Sequence, residues 1–171
     1  MGKIKYILLI TLLSIVVYVI INELTFIPLN TKDLNILFPN YSGKLSRTYH
    51  KDFIGWGQGD YFDYFVFQLD TVSINSNHPQ WIKEWEYVSL PDEVEKSKWL
   101  SCPVDSIITS KFSLEMDEII NCNIQERFLL KEEIENPNNF YSYLYVSSLE
   151  KYFLLINPLK KKLYYIRQKG F

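Results

Sequence analysis

The stretch that decides the fold is Tyr61-Phe62-Asp63-Tyr64-Phe65-Val66-Phe67-Gln68-Leu69. Aromatic and β-branched residues dominate it, and apolar residues occupy both sets of alternating positions. A strand with apolar side chains on both faces is typical of the interior of a sheet that is covered on each side. We therefore predict a central strand over residues 61–69, ended by Asp70.

The remaining elements are read outward from this strand. Further strands are predicted over Lys44–His50, Val104–Phe112, Tyr141–Val146, Tyr152–Ile156 and Lys162–Arg167, the last two joined by a hairpin loop at Asn157–Lys161. Helices are predicted over Lys32–Phe38, from His78-Pro79 to Val88, over Ser89–Leu100 and within Ser113–Glu135. The pattern predicts an α+β domain with an antiparallel sheet of about five strands and helices packed on one face.

The N-terminus predicts a membrane anchor. Lys3 and Lys5 precede 17 uncharged residues, and Glu23 follows them. As a helix this run spans about 26 Å, close to the hydrocarbon core of a bilayer. The lysines predict a cytoplasmic N-terminus with the rest of the chain outside the cytoplasm. The alternatives are a cleaved secretory signal, for which the alanine-free sequence offers a poor cleavage site, and a buried globular helix.

These patterns divide the chain into three parts. Residues 1–23 are an uncleaved, single-pass signal anchor, residues 24–40 a connector with a short helix, and residues 41–171 an extracytoplasmic α+β domain. Thirteen Tyr, 11 Phe and 4 Trp supply enough apolar surface for one core and argue against disorder. The abundance of Ile, Lys and Asn without alanine is typical of an AT-rich bacterial genome.

The charge balance argues against a nucleic-acid partner. The net charge is −2, and leaving out the two positive charges of Lys3 and Lys5 takes the rest of the chain to −4. Lys160–Lys162 is a short basic run in a predicted turn, where lysines are usually solvated. We expect a protein partner and the membrane, and no cofactor.

The two cysteines, Cys102 and Cys122, leave two interpretations open. An extracytoplasmic compartment permits a disulfide between them. Two buried free thiols are the alternative. A cysteine nucleophile is not indicated, because neither histidine stands in a recognised motif with either cysteine.

A glycine-rich loop and four polar residues form the one candidate catalytic region. Gly55-x-Gly57-x-Gly59 precedes a strand instead of a helix, so it predicts a tight turn and not a phosphate-binding loop. His50, Asp52, Asp60 and Asp63 flank the loop and, if they converge, supply an acid–base pair or metal ligands. Asp63, within an apolar strand, must face solvent or find a partner.

A tyrosine-rich strand is the candidate binding surface. Tyr141, Tyr143 and Tyr145 fall on one face of a strand, where they serve either cross-strand packing or contact with a partner. Trp81, Trp85 and Trp99 suit a core better than a stacking platform.

The segments Gly57–Asp60 before the central strand and Trp85–Pro91 after it carry a resemblance. Together they resemble small uncharacterised bacterial membrane-anchored proteins with the layout of immunity proteins, some of which act beside toxins. The resemblance implies a binding role. We therefore expect a non-catalytic extracytoplasmic binding protein, of immunity type or in envelope assembly. The alternative is an anchored hydrolase or metal-binding enzyme that uses the His50/Asp52/Asp60/Asp63 region.

Overall fold

A computed structural model of the chain describes residues 2–54, 60–85, 90–114 and 124–170. It begins with helix α1 (Gly2–Thr25), and a connector leads to helix α2 (Thr31–Leu37). The Asn30 side chain accepts the backbone N–H of Asp33, and the Asp33 carboxylate accepts the backbone N–H of Asn30. This capping box, with Pro39 just beyond the helix end, explains why the predicted short helix forms.

The described residues form one antiparallel sheet of seven strands: β1 (Leu45–Asp52), β2 (Tyr61–Leu69), β3 (Glu95–Lys96), β4 (Leu100–Ser101), β5 (Phe140–Ser147), β6 (Glu150–Asn157) and β7 (Lys162–Lys169). Their order across the sheet is β1-β2-β7-β6-β5-β3, and β4 also pairs with β5. The register of β1 against β2 shifts between Arg47 and Tyr49, so the edge strand carries a bulge at Thr48. Two further helices are α3 (Ser106–Lys111) and α4 (Ile124–Glu135).

Each face of the sheet carries a hydrophobic core. Phe65 and Phe67 of β2 belong to the first core, which includes residues of α2 and the three tryptophans Trp81, Trp85 and Trp99. The alternate residues Tyr64 and Val66 belong to the second core, to which α3 and α4 contribute. This division explains why the sequence of β2 is apolar at both sets of alternating positions.

Much of the predicted architecture is confirmed. The domain is α+β with an antiparallel sheet, β2 covers the predicted residues 61–69, and it is buried on both faces between β1 and β7. The last three strands form the predicted antiparallel meander, and β1 lies within two residues of the predicted strand at each end. The strand count and the placement of the helices were wrong: the sheet has seven strands, and helices cover both of its faces.

The predicted helix over residues 89–100 was wrong because this segment pairs with the edge of the sheet. The short strands β3 and β4 bind β5, and the backbone N–H of Ser97 donates to the Tyr143 carbonyl. Trp99 packs in the first core and its indole N–H donates to the Leu37 carbonyl. Tertiary pairing therefore overrides a helix-start pattern that begins at Ser89-Leu90-Pro91.

The predicted strand over residues 104–112 was also wrong, and α3 takes its place. The β-branched run Ile107-Ile108-Thr109 favours a strand. Asp105, however, caps a helix: its side chain accepts the Ile107 N–H and its carbonyl accepts the Thr109 N–H. The N-cap and the burial of Ile108 and Phe112 against the sheet decide the structure.

The two other helix predictions are met in part. Residues 78–85 form turns and not the predicted regular helix, although Trp81 and Trp85 still pack edge to face at 4.6 Å. Val88 lies outside the described residues. Within the predicted helical region 113–135, α4 occupies its C-terminal half, and residues 115–123 lie outside the described part.

The N-terminal helix α1 is 24 residues long, which corresponds to about 36 Å. Within the described residues, no helix combines the length and the apolar character that crossing a membrane requires.

Candidate functional site

The candidate site is a cluster of three charged or polar side chains, His50, Asp63 and Arg167. The Nε2 of His50 lies 2.8 Å from Oδ1 of Asp63, and the Nε of Arg167 donates to Oδ2 of Asp63 at 2.8 Å. Their side chains are 15%, 6% and 12% exposed, respectively. Both oxygens of a buried carboxylate therefore bind a basic group, which offsets the cost of its burial.

The register of three neighbouring strands brings the cluster together. On β1, His50 is opposite Phe65 of β2, and Arg167 of β7 is directly opposite Asp63. Opposite residues of antiparallel strands share a face, and Asp63 and Phe65 lie two positions apart on β2. The three side chains therefore lie on the face of the sheet that carries the first core.

Aromatic rings surround the cluster. The His50 ring stacks parallel to Phe65 at 4.2 Å between centroids, and the Arg167 guanidinium lies 4.1 Å from the ring centroid of Tyr61. Such rings exclude water from the Asp63–Arg167 ion pair and from the hydrogen bond between His50 and Asp63, and they hold the guanidinium over their faces. The loss of one charge would leave its partner buried without compensation.

The cluster also binds the connector that follows α1. The Nη1 of Arg47 donates to the Phe26 carbonyl at 2.8 Å and lies 3.5 Å from Nδ1 of His50. The Phe26 ring lies 5.2 Å from the Arg167 guanidinium and 6.2 Å from the Phe65 ring. The first residue beyond α1 is thus fixed against the sheet by the residues that form the cluster.

The contacts of His50 define what the cluster can do chemically. Arginine only donates, so the Arg47 contact assigns Nδ1 of His50 as an acceptor and Nε2–H as the donor to Asp63. A histidine oriented by a carboxylate is half of an acid–base arrangement. Here both ring nitrogens have protein partners, so catalysis would require one of these contacts to open.

Of the four residues predicted to converge, His50 and Asp63 are in direct contact, and Asp52 lies beside Asp63 on the neighbouring strand. Asp52 is opposite Asp63 in the strand register, and its Oδ1 accepts the Ile54 N–H at 2.9 Å. Asp60 is exposed, and its carboxylate lies against Gly170 at the other end of the chain. Across the described residues no group of three His, Cys, Asp or Glu side chains is placed to hold a metal ion. The glycine-rich loop 55–59 lies outside the described residues.

The tyrosine-rich strand packs largely against its own domain. Tyr141 is buried and stacks on Phe153, while Tyr143 and Tyr145 are half-buried with their rings 5.6 Å and 6.1 Å from Phe112. Tyr145 also lines a surface groove beside α3. Packing accounts for most of this face, and the groove leaves Tyr145 accessible.

Cys102 is buried in the second core and is a free thiol within the described residues. Burial, with a contribution from the nearby Glu133 carboxylate, raises the pKa of Cys102 to about 12. A thiol of this kind is a poor nucleophile. Cys122 lies outside the described residues, so the disulfide with Cys102 stays a prediction.

A second buried carboxylate, Glu133 of α4, was not singled out by the sequence. It accepts hydrogen bonds from Asn139, Asn157, Lys160 and the Tyr164 hydroxyl. Burial raises the pKa of Glu133, but the hydrogen bonds from Lys160, Asn157 and Asn139 outweigh it and bring the pKa below its ordinary value. The carboxylate is therefore held as an anion that ties α4 to the β6–β7 turn.

Sequence reasoning also missed Arg47 and Arg167. The available signal was the placement of Asp63 among apolar residues, because a buried carboxylate requires a cationic or hydrogen-bonding partner. Arg167 is separated from Asp63 by 104 residues, so the choice of partner depended on the register of β2 against β7.

No family model, no curated protein and no solved structure matches this chain. The sequence and the geometry of the site therefore carry the functional argument.

Proposed function

We propose that this chain is a membrane-anchored, non-catalytic binding protein that presents its α+β domain to a protein partner outside the cytoplasm. Immunity to a toxin and a role in an envelope assembly are the two concrete forms of this function. The proposal requires an inserted N-terminal helix, a firm attachment of the domain to that helix, and a surface for the partner.

The observation that carries the proposal is the exposed apolar surface of α1. Apart from Val19, the large apolar side chains between Tyr6 and Ile21 are 46–72% exposed. A helix that is apolar on all sides is buried either in a protein core or in lipid, and the described domain does not cover this one. Lipid acyl chains are the cover that we propose, over a run at the short end of the lengths that span a bilayer.

The polar groups of this helix are compatible with lipid. The hydroxyls of Thr11 and Ser14 donate to the carbonyls of Ile7 and Ile10 one turn earlier, at 3.0 Å and 2.9 Å. Each hydroxyl therefore brings its own acceptor into the bilayer. Lys3 and Lys5 before the apolar run favour the orientation in which the domain lies outside the cytoplasm.

The His50/Asp63/Arg167 cluster supports binding over catalysis. Arg167 of the cluster and its neighbours Arg47 and Phe65 contact Phe26, so this region connects the domain to the residue that follows α1. A domain attached in this way is held at the membrane in a defined orientation, and the surface that does not contact the connector is available to a partner. This structural use accounts for the polar side chains of the cluster without a reaction.

A second candidate function is an anchored hydrolase, and the 2.8 Å contact between His50 and Asp63 favours it. In that case Asp63 orients His50 as a general base, and the contact between His50 and Arg47 opens to admit substrate. Loss of function in a His50→Gln variant that still folds would favour this candidate. An unchanged phenotype would leave binding as the function.

The proposal is tested by localisation and protection in one strain. A reporter that is active only outside the cytoplasm, fused after Phe171, should be active, and the fusion should stay in the membrane on alkaline extraction. The matched control replaces residues 1–23 with a cleavable secretion signal and should be released. For the immunity form, the full chain should protect cells from the product of the adjacent gene. Activity of a cytoplasm-only reporter at the same site would reject the proposed orientation.

A further inference from the structure

A groove of about 550 Å³ lies beside α3, on the face of the sheet that carries the second core. The last turn of α3 supplies Ser110 and Lys111, β5 supplies Tyr145, and β6 supplies Lys151. Tyr145 and Lys151 are directly opposite each other in the strand register, so they stand side by side in the groove. Ser148, in the turn between β5 and β6, also lines the groove.

Two ammonium groups give the groove its charge. Nζ of Lys111 lies 4.2 Å from the ring centroid of Tyr145 and 2.6 Å from Oε2 of Glu95. Nζ of Lys151 donates to the Lys111 carbonyl at 2.9 Å. An ammonium group has three N–H donors, and this carbonyl is the one acceptor that the described residues provide for Lys151.

The ammonium groups of Lys111 and Lys151 can each bind the carboxylate of a ligand. Burial lowers the pKa of Lys151, which means that its charge is incompletely compensated in the protein. Glu95, the present partner of Lys111, is 58% exposed, and such surface ion pairs contribute little. An incoming carboxylate can therefore displace Glu95 at small cost and bind both ammonium groups.

Two exposed apolar side chains lie at the groove or next to it in the chain. Ile107 is 71% exposed and lines the groove, and Leu149, next to Ser148, is 55% exposed. Beyond α1 they are two of the three most exposed large apolar side chains in the described residues. Exposed apolar side chains next to two ammonium groups match a ligand that combines apolar groups with a carboxylate.

We infer that this groove binds an extended segment of a partner protein in which an acidic residue lies next to large apolar residues. The inference rests on the proposed function and names the surface and the chemistry of its partner. The exposed apolar side chains of Ile107 and Leu149 beside the two ammonium groups favour a protein segment in which apolar side chains flank a carboxylate. A polyanion such as nucleic acid is not favoured, because the whole chain carries a net charge of −2.

The test uses the full chain, labelled with ¹⁵N, in nanodiscs of zwitterionic lipid. The probe is an acetylated, amidated pentapeptide with one aspartate between two leucines, and its matched control carries asparagine in place of the aspartate. The aspartate peptide should bind about fivefold more tightly and shift the amide signals of Ile107, Ser110 and Tyr145.

Two variants should move this affinity in opposite directions. Lys111→Gln should remove the preference for aspartate over asparagine. Glu95→Gln should tighten binding of the aspartate peptide by about twofold, because it removes a competing carboxylate whose ion pair with Lys111 is weak. Lys98→Gln, an exposed lysine bonded to Asn77 elsewhere on the surface, is the matched control and should change nothing.

Several results would overturn the inference. These are equal binding of the two peptides, shifts confined to other residues, or no gain in affinity for Glu95→Gln. Binding of the full chain to vesicles of anionic phosphatidylglycerol that is lost in Lys111→Gln, without peptide binding, would assign the groove to lipid headgroups instead. The localisation and protection tests do not depend on the groove. A chain that passes them and fails here loses only this site, whereas failure of those tests rejects the proposed function itself.

Discussion

Replacing Asp63 by Asn tests whether the buried cluster stabilises the domain. The groups that contact the two carboxylate oxygens, Nε2–H of His50 and Nε–H of Arg167, are both donors. The asparagine amide has only one acceptor oxygen, so its NH₂ group must face one of these donors. The substitution therefore leaves a buried donor unsatisfied and the Arg167 charge unpaired.

The magnitude follows from the burial of the pair. At 6% and 12% exposure, solvent screens the interaction between Asp63 and Arg167 only weakly. Breaking a buried pair by removing one partner costs about 3–5 kcal/mol. With a urea m-value of about 2 kcal/mol/M, the unfolding midpoint should fall by about 2 M. Joint replacement by apolar residues, Asp63→Leu with Arg167→Met, should cost less than Asp63→Asn alone, because no buried charge remains unpaired.

The assay is urea unfolding of the full chain in mild detergent, followed by the fluorescence of Trp81, Trp85 and Trp99, all of which are buried. The matched control is Asp92→Asn, because Asp92 is 84% exposed and pairs with an exposed lysine. It should change the free energy of unfolding by less than about 0.5 kcal/mol. Equal midpoints for Asp63→Asn and Asp92→Asn would refute the argument that the cluster stabilises the domain.

Three further predictions follow from the same structure. Phe65→Ala should lower the free energy of unfolding in urea by about 3–5 kcal/mol, because Phe65 is fully buried in the first core. Lys161→Ala, in the exposed turn, should lower it by less than about 0.5 kcal/mol. Similar small losses for both variants would mean that β2 is not a core strand. The pKa of Glu133 is lowered in the folded state, so the Glu133 carboxylate stabilises the domain above its ordinary pKa of 4.5 and loses this contribution as the pH falls through the folded pKa. Glu133→Gln should therefore reduce the slope of unfolding free energy against pH in this acidic range. An unchanged slope would contradict a lowered pKa for Glu133. With a pKa of about 12, the Cys102 thiol should resist alkylation at pH 8 in the folded chain and react after unfolding. Quantitative alkylation of both Cys102 and Cys122 in unfolded, unreduced protein from its native compartment would exclude a disulfide between them.

The parts of the fold that the sequence predicted are those whose structure is decided locally. The strand β2 could be predicted because its apolar residues occupy both alternating sets, and α2 because a capping residue and a proline mark its ends. The strands β3 and β4 could not, because each is two residues long and forms only by pairing with β5. In α3, the strand propensity of Ile107 and Ile108 competes with the Asp105 cap, and burial against the sheet decides the outcome.

The candidate site could likewise be predicted only in part. An aspartate within an apolar strand and a nearby histidine marked the region, because a buried carboxylate needs a partner. The identity of the second partner, Arg167, required the pairing of strands that are distant in the chain. The groove beside α3 was not predictable, since the β-branched residues of the segment that forms its wall favour a strand.

Neither edge of the described sheet has a long, regular strand. On one side β1 is interrupted by the bulge at Thr48, and on the other β3 and β4 offer only two paired residues each. Long, regular edges invite strand exchange between molecules. Chains tethered in a bilayer, as proposed, collide in two dimensions with similar orientations, which raises the rate of such encounters. The irregular edges would let the protein accumulate at high surface density without polymerising through its sheets.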